Sequence, residues 1–485
     1  MESLSGIFRP GASVYFVGIK GTGVCALAEL MHNMGIKASG SDTSEVFYTD
    51  AILKELNIPY FESFDPAHIR DDFDAVIYSA AYSVEGNAEL AEADRKSLPL
   101  LNYPEALGKY SEFFDSSGIA GVHGKTTTTA MCGCLMRALG IPAQILVGSA
   151  VANFGGKSTL TLGNKYFIAE TCEYRSHFLS FHPKRVVLTA VESDHQDYFP
   201  TYESIRDAFV EYCRRIPPGG ELIYCADDPG ACEVASVIEK DGHGVSLIPY
   251  GFTAEGDFRI NSYRVENDCA VFEINAFPEG LYLRVPGRHQ ALNATAAIAL
   301  SSVLLEKESS GIPGGIWNDK RRLAVKKELE EFRGSKRRSE IIGSAGGIIF
   351  MDDYGHHPTA IKTTLEGIRG FFPSRRIVVS FMSHTYSRTA ALLDEFAGSL
   401  AIADVLFLHK IYASAREKFD GNIDGMSIYK KIKNLENTKA EVHYVDEPMD
   451  AFGPLVTILK PGDLFLTLGA GSNWPLGLRL HEHYL

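Results

Sequence analysis

Residues 118–130 read GIAGVHGKTTTTA: an apolar strand runs into a glycine-rich turn, a lysine and four threonines, and the helical run AMCGCLMRALG follows. Few folds accommodate that order. A strand, a tight turn and a helix in immediate succession belong to a parallel α/β layer whose helices cover the sheet. Unpaired backbone N–H groups at such a turn, and the dipole of the helix behind it, favour an anion. Lys125 is placed to reach the β/γ-phosphates of a nucleotide and Thr126 to ligate Mg²⁺, with Gly121, Gly124 and Thr127 completing the turn. The P-loop spacing puts a glycine five positions before the Gly-Lys glycine. Here that position is Ile119, so the strict pattern is not met.

The same alternation continues on both sides. SVYFVG, KASGSD and DAVIYSA read as strands, and CALAELMHNMG and NAELAEADRK as helices. Further strands are expected at GGIIFMDD, RRIVVSFM, DVLFLHK and DLFLTLG. With 485 residues and ~150 per domain, three domains are expected, at 1–108, 109–331 and 332–485. The lysine- and arginine-rich segment NDKRRLAVKKELEEFRGSKRRSE reads as a solvated helix plus a linker. No internal repeat or low-complexity tract interrupts the chain.

The charge balance narrows the partners. There are 47 basic and 61 acidic residues, a net charge of −14, and such a surface does not attract nucleic acid or anionic lipid. None of the eight cysteines forms a CxxC pair, so buried reduced thiols are expected in place of disulfides or zinc. The start MESLSGIFRPG lacks the features of a leader, and no apolar run approaches the ~20 residues of a membrane span. The expected setting is the cytoplasm, with no membrane partner.

Candidate residues cluster where parallel strands end, the edge at which α/β sheets bind ligands. GIKGTG places Gly18, Gly21 and Gly23 between a strand and a helix, and Asp42 closes the next strand. That pattern reads first as a site for NAD(P) or another nucleotide diphosphate, with tight strand–helix packing as the alternative. Glu170 ends KYFIAE, where a carboxylate could complete the shell of a Mg²⁺ held by Thr126. Asp194 and His195 follow VVLTAVES, and His195 reads as a metal ligand, a base or a loop histidine. In the last third, DDYGHHPT ends one strand and SFMSHTYSRTA another. A helical turn there would put His384 and Arg388 on one face, and the arginine fork suits a carboxylate or phosphoryl oxygen.

Taken together, VGIKGTG, GSD, GVHGKTTTT, AETCEYRSHF, DHQDYF, VPGRHQALNATAA, GSKRRSE, DDYGHHPT, HTYSRT and IYASARE resemble the Mur ligase family across nearly the whole chain. These are the ATP-dependent amide-bond-forming enzymes of peptidoglycan synthesis. The resemblance implies an α/β chain with an N-terminal Rossmann-like parallel sheet, a central P-loop-type ATPase domain and a C-terminal Rossmann-like domain. It is strongest to the branch that joins L-alanine to the lactyl carboxylate of UDP-N-acetylmuramate through an acyl phosphate. Gly21, Thr22, Gly23, Asp42 and Ser79 would then hold the sugar nucleotide. Lys125 and Thr126 would bind ATP phosphates and one Mg²⁺; Glu170 and His195 would hold metal, with His195 on a second ion. His289 and Asn293 would approach the adenosine. Asp353, Tyr354, His356, His384 and Arg388 would form the site for nucleotide and incoming amino acid. An imidazole in the metal set suits Mn²⁺ as well as Mg²⁺.

Five positions depart from the family pattern: Val122 in the loop, Ala190 and Ser193 in TAVESDH, Thr385 and Ser472. The alternatives are the branch that recycles a ready-made tripeptide onto the same sugar nucleotide, and a non-catalytic nucleotide-binding paralogue. A nicotinamide oxidoreductase is the third, and it leaves GKTTTT unexplained.

Overall fold

The computed structural model describes residues 5–196, 198–309, 316–413, 422–435 and 438–485. Contacts divide the chain into two compact units, Met1–Gly256 with Ala296–Val325, and Asp257–Thr295 with Lys326–Leu485.

The first unit contains two sheets. The N-terminal one has five parallel strands in the spatial order Tyr60–Phe61, Lys37–Ser41, Ser13–Val17, Ala75–Tyr78 and Leu100–Asn102. Strand order reverses at Ser13–Val17, so the crevice of a doubly wound sheet opens just past Val17, at the GIKGTG turn. Local chemistry sets the helix starts. Asn87 caps one helix with its side chain. Asn102 and Glu105 form a capping box on the next, with proline in its first turn.

The second sheet has seven strands, ordered Ser246–Tyr250, Glu221–Cys225, Arg185–Leu188, Asp115–Ala120, Tyr166–Glu170, Ala143–Val151 and Lys157–Thr161. Only the edge strand Lys157–Thr161 runs antiparallel to its neighbour. Asp115–Ala120 is central, and its two neighbours are the strands ending at Glu170 and Leu188. Parallel pairing therefore brings Glu170, the glycine turn and the loop carrying Asp194 and His195 to one edge.

At the other edge Arg185 lies on the sheet with 1 % of its side chain exposed. It pairs with Asp115 and, at 3.0 Å, with Glu221 on the two flanking strands. All three open their strands, so one guanidinium ties the sheet together at the end away from the turn.

The second unit holds a three-stranded antiparallel sheet, Ile260–Glu266, Cys269–Ile274 and Phe277–Leu283. Its other sheet has six strands, in the order Glu340–Ala345, Ile348–Asp353, Asp463–Leu468, Arg376–Phe381, Val405–Leu408 and Glu441–Tyr444. All of these pair in parallel except the first. The four strands expected from the apolar runs are present; Glu340–Ala345 and Glu441–Tyr444 are additional. Asp319–Glu330 is a helix, as the basic segment suggests. All eight cysteines are free thiols, six of them buried. Among the described residues no helix is long and apolar enough to cross a membrane.

Candidate active site

The turn after Ala120 needs its glycines. Gly121 has φ +134 and Gly124 φ +82, regions that side chains rarely enter, and a Cβ on Gly121 would lie 2.2 Å from Thr189 Oγ1. Thr189 fastens the turn with its hydroxyl, whose one hydrogen is shared between the carbonyls of Ala120, at 3.0 Å, and His123. The Val122 N–H donates to Ala190 O at 2.9 Å. Two of the positions that depart from the family pattern thus meet through their backbones, and the Val122 side chain packs on the core. Helix Lys125–Leu139 starts directly behind this turn and ends at Gly140 in the left-handed conformation.

Around the helix start the charged groups converge. Thr126 Oγ1 donates to Glu170 Oε1 at 3.1 Å, and Glu170 Oε2 accepts from the Gly148 N–H at 2.8 Å. Lys125 Nζ donates to Glu173 Oε2 at 2.7 Å and to the Gly121 carbonyl. The other oxygen of Glu173 lies 3.3 Å from His195 Nε2. His195 has φ +55, its N–H donates to Asp194 Oδ1 at 2.7 Å, and its ring packs 4.9 Å from that of Tyr174. A non-glycine residue held in the left-handed region is a recurrent mark of a functional turn. Burial alone would raise the Glu173 carboxyl, but Lys125 and His195 outweigh it and hold it below the ordinary range. The Lys125 ammonium, disfavoured by burial, is in turn held up by Glu173.

These donors fit a hard divalent cation. Adjacent ligands at ~2.1 Å in an octahedral Mg²⁺ shell are about 3 Å apart, the separation of Thr126 Oγ1 from Glu170 Oε1. The position of Glu170 can be tested through Gly148. A Cβ there would sit 2.6 Å from Glu170 Oε2, so Gly148→Ala should displace a flexible carboxylate without breaking the core. The expected result is an unchanged melting temperature and about a tenfold higher Mg²⁺ requirement, since small misplacements of site groups carry large kinetic costs. A Mg²⁺ titration of ATP turnover reads this directly, and an unchanged requirement would speak against Glu170 as a metal ligand.

At the N-terminal turn Gly18 has φ +82, and a Cβ on it would strike Ser79 and Tyr82 at 2.9 and 2.8 Å. Thr22 and Gly23 open helix Thr22–Asn33. Asp42 does something other than present a free carboxylate. Only 5 % exposed, it accepts from the N–H groups of Lys20 and Thr43 at 2.7 and 2.8 Å, and so shapes the turn itself. Lys20 is buried and turned inward, 3.1 Å from both Asp50 and Glu62, with the carbonyls of Thr43 and Glu45 each at 3.0 Å.

The second unit gathers its own cluster at the strand ends. Asp353 accepts from the N–H groups of Ser339 and Gly355 at 2.6 and 2.7 Å, which fixes the loop carrying Tyr354 and His356. Rings of Tyr354 and His356 lie 5.2 Å apart, and those of His356 and His384 5.7 Å. Arg388, 7 % exposed, reaches His384 Nδ1 at 3.3 Å, although helix Tyr386–Ala391 begins only after His384. Thr385, between His384 and the helix that carries Arg388, has φ +68. His289 and Asn293 lie at the start of helix Arg288–Glu308, where Asn293 Nδ2 donates to Gln290 Oε1 at 3.3 Å.

Residues 337–471 match the Mur ligase glutamate ligase domain, 119–301 the Mur ligase middle domain, and 13–115 the Mur ligase family catalytic domain. The chain belongs to the Mur ligase family. This Mur ligase is 48 % identical over 474 residues to the UDP-N-acetylmuramate–L-alanine ligase of Treponema pallidum, covering 98 % of this chain and 97 % of the relative. It is 38 % identical over 470 residues to the enzyme of that name from Borrelia garinii subsp. bavariensis, with 96 % and 97 % covered. In three dimensions it is similar to the UDP-N-acetylmuramate-alanine ligase of Thermotoga maritima, with TM-score 0.75, 25 % identity, and 97 % and 99 % coverage.

Sequence reasoning overlooked several groups in this Mur ligase. Glu173 lies in AETCEYRSHF, and Arg337 and Arg338 in GSKRRSE, yet neither motif assigned them a part. Arg337 pairs with Asp352 at 3.0 Å and donates to Gly469 O at 2.7 Å. The two guanidinium groups lie 5.0 and 5.2 Å from the Tyr354 ring. Burial pushes the Asp352 carboxyl up to about 6 against the pull of Arg337. Their signal was a pair of arginines just before a strand. Ser414–Glu417 of IYASARE, and Asp197 of DHQDYF, lie outside the described residues.

Proposed function

We propose that this Mur ligase joins L-alanine to the lactyl carboxylate of UDP-N-acetylmuramate, with ATP converted to ADP and phosphate. The near-full-length 48 % identity to a relative of that name carries the reading, and the cluster at Lys125 supplies the chemistry it needs. A carboxylate is a poor electrophile. Its oxygen attacks the γ-phosphorus of ATP, ADP leaves, and an acyl phosphate forms. The alanine amine then attacks the acyl carbon, phosphate departs, and the nitrogen loses a proton.

Lys125 and the N–H groups of the Gly121–Gly124 turn are proposed to hold the phosphates in line. Thr126, Glu170 and His195 would hold Mg²⁺ or Mn²⁺, which when bound neutralises charge between the two meeting anions. Arg388 is proposed to stabilise the tetrahedral oxyanion, with His356 and His384 beside the amine and Tyr354 and Asp353 shaping that pocket. His289 and Asn293 are assigned to the adenosine. Gly21, Thr22, Gly23 and Ser79 are assigned to the sugar nucleotide, which Asp42 serves by holding the turn. The proposed domain limits are 1–108, 109–331 and 332–485.

The test is phosphate release from ATP, Mg²⁺ and UDP-N-acetylmuramate with L-alanine, with a tripeptide, or with neither. Release that depends on L-alanine is the expected outcome. Release with the tripeptide alone would move the enzyme to recycling. Binding of the sugar nucleotide with no release in any arm would mark a non-catalytic paralogue.

A further inference from the structure

Glu173 touches both halves of the cluster at the helix start. One oxygen lies 2.7 Å from Lys125 Nζ and the other 3.3 Å from His195 Nε2. Its side chain is 4 % exposed and that of Lys125 12 %, so the pair is shielded from solvent. The residues that follow fix this placement, since Arg175 and Ser176 are both in the left-handed region, with φ +52 and +56. Lys125 is the group expected to reach the β/γ-phosphates. In this arrangement it is turned to a carboxylate and to the Gly121 carbonyl, and a negative charge stands against the ammonium where phosphate oxygens would arrive.

We propose that Glu173 is a placeholder anion: it holds Lys125 until nucleotide binds, then releases the lysine to the phosphates and keeps His195 as its partner. This rests on reading 118–130 as the nucleotide loop. Lys125 cannot give its short contact to both a carboxylate and a phosphate without setting two anions side by side. The resting pair must therefore open before the phosphates engage fully. Apparent affinity is then reduced by the fraction of molecules in which the pair is closed. The exchange has a purpose in the same geometry, because the carboxylate that leaves Lys125 already faces His195, a group assigned to metal. Glu173 is thus a positioning residue, acting through Lys125 and His195.

The experiment is a titration of the full-length protein with ADP, by calorimetry, in EDTA and again in Mg²⁺, comparing wild type with Glu173→Gln and Glu173→Asp. Wild type binding ADP in Mg²⁺ is the control for the nucleotide loop; no binding there would overturn that reading, and this inference with it. In EDTA, Glu173→Gln should bind ADP about five- to tenfold more tightly than wild type, because the closed state is lost. Glu173→Asp, with its carboxylate drawn back by one methylene, should shift about twofold in the same direction. In Mg²⁺, Glu173→Gln should lower kcat without raising the KM for ATP. A merely structural role predicts the opposite sign, since a loosened turn binds ADP more weakly. Metal-free affinity equal to or weaker than that of wild type in both variants, with wild-type binding intact, would overturn the placeholder alone. Should Glu173→Gln not fold, Glu173→Asp decides on the same criterion.

Discussion

Lys125→Ala is expected to abolish ATP turnover, by about 10³-fold or more, while the protein remains folded. The lysine carries the ammonium at the start of the helix behind the glycine turn, and it touches the turn through the Gly121 carbonyl. Catalysis of phosphoryl transfer rests on positioning and charge stabilisation, and the loss of one preorganised donor already costs about 10²–10³ in rate. The fold should persist because the turn is fastened by Thr189 and by the Val122 N–H to Ala190 bond, neither of which involves the lysine side chain. Glu173 keeps His195 as a partner. Phosphate release alongside circular dichroism at 25 °C measures both halves. Near-normal turnover in a folded variant would place the nucleotide elsewhere.

Arg185→Ala should have the largest effect on stability and the least on chemistry. Its guanidinium is enclosed between Asp115 and Glu221, and the carboxylates are 24 % and 12 % exposed. Breaking a buried pair by removing one partner costs about 3–5 kcal/mol, because the remaining charge is left uncompensated. Two carboxylates are left here, although Lys307 still reaches Glu221 at 2.9 Å. Denaturant unfolding should show a loss of that order, with turnover per folded molecule near the wild-type value because the arginine opens its strand and the glycine turn proposed for nucleotide follows the other end of the sheet. A loss below about 1 kcal/mol, the range of exposed pairs, would show that water already serves both carboxylates.

The parts of the structure legible in the sequence were those with a strong local signature. Apolar strands ending in glycine turns announced the parallel sheets, and Glu170 was found because it terminates the apolar run KYFIAE. Glu173 was missed for a physical reason. It sits three residues on, in a turn held by two left-handed residues, where neither period 2 nor period 3.6 operates. The antiparallel sheet between Ile260 and Leu283 was missed too: its register shifts at Ile260/Ser262 and at Phe272/Ile274 break the alternation that would reveal it. Asp42 shows the converse. Its position after a strand fits a carboxylate for a ribose, but both oxygens are engaged by backbone N–H groups, and no sequence pattern separates a carboxylate that binds from one that braces.

The inward turn of Lys20 has a bearing on how the N-terminal crevice treats its guest. The one cation within GIKGTG is spent on Asp50, Glu62 and two carbonyls. What the turn itself offers a diphosphate is therefore a set of amide dipoles and the start of a helix. Fixed dipoles in contact with a ligand are screened little by mobile ions, whereas attraction between solvent-exposed charges fades beyond a Debye length of about 8 Å at physiological ionic strength. If the turn holds the sugar nucleotide as proposed, its share of that grip should accordingly hold steady as salt rises.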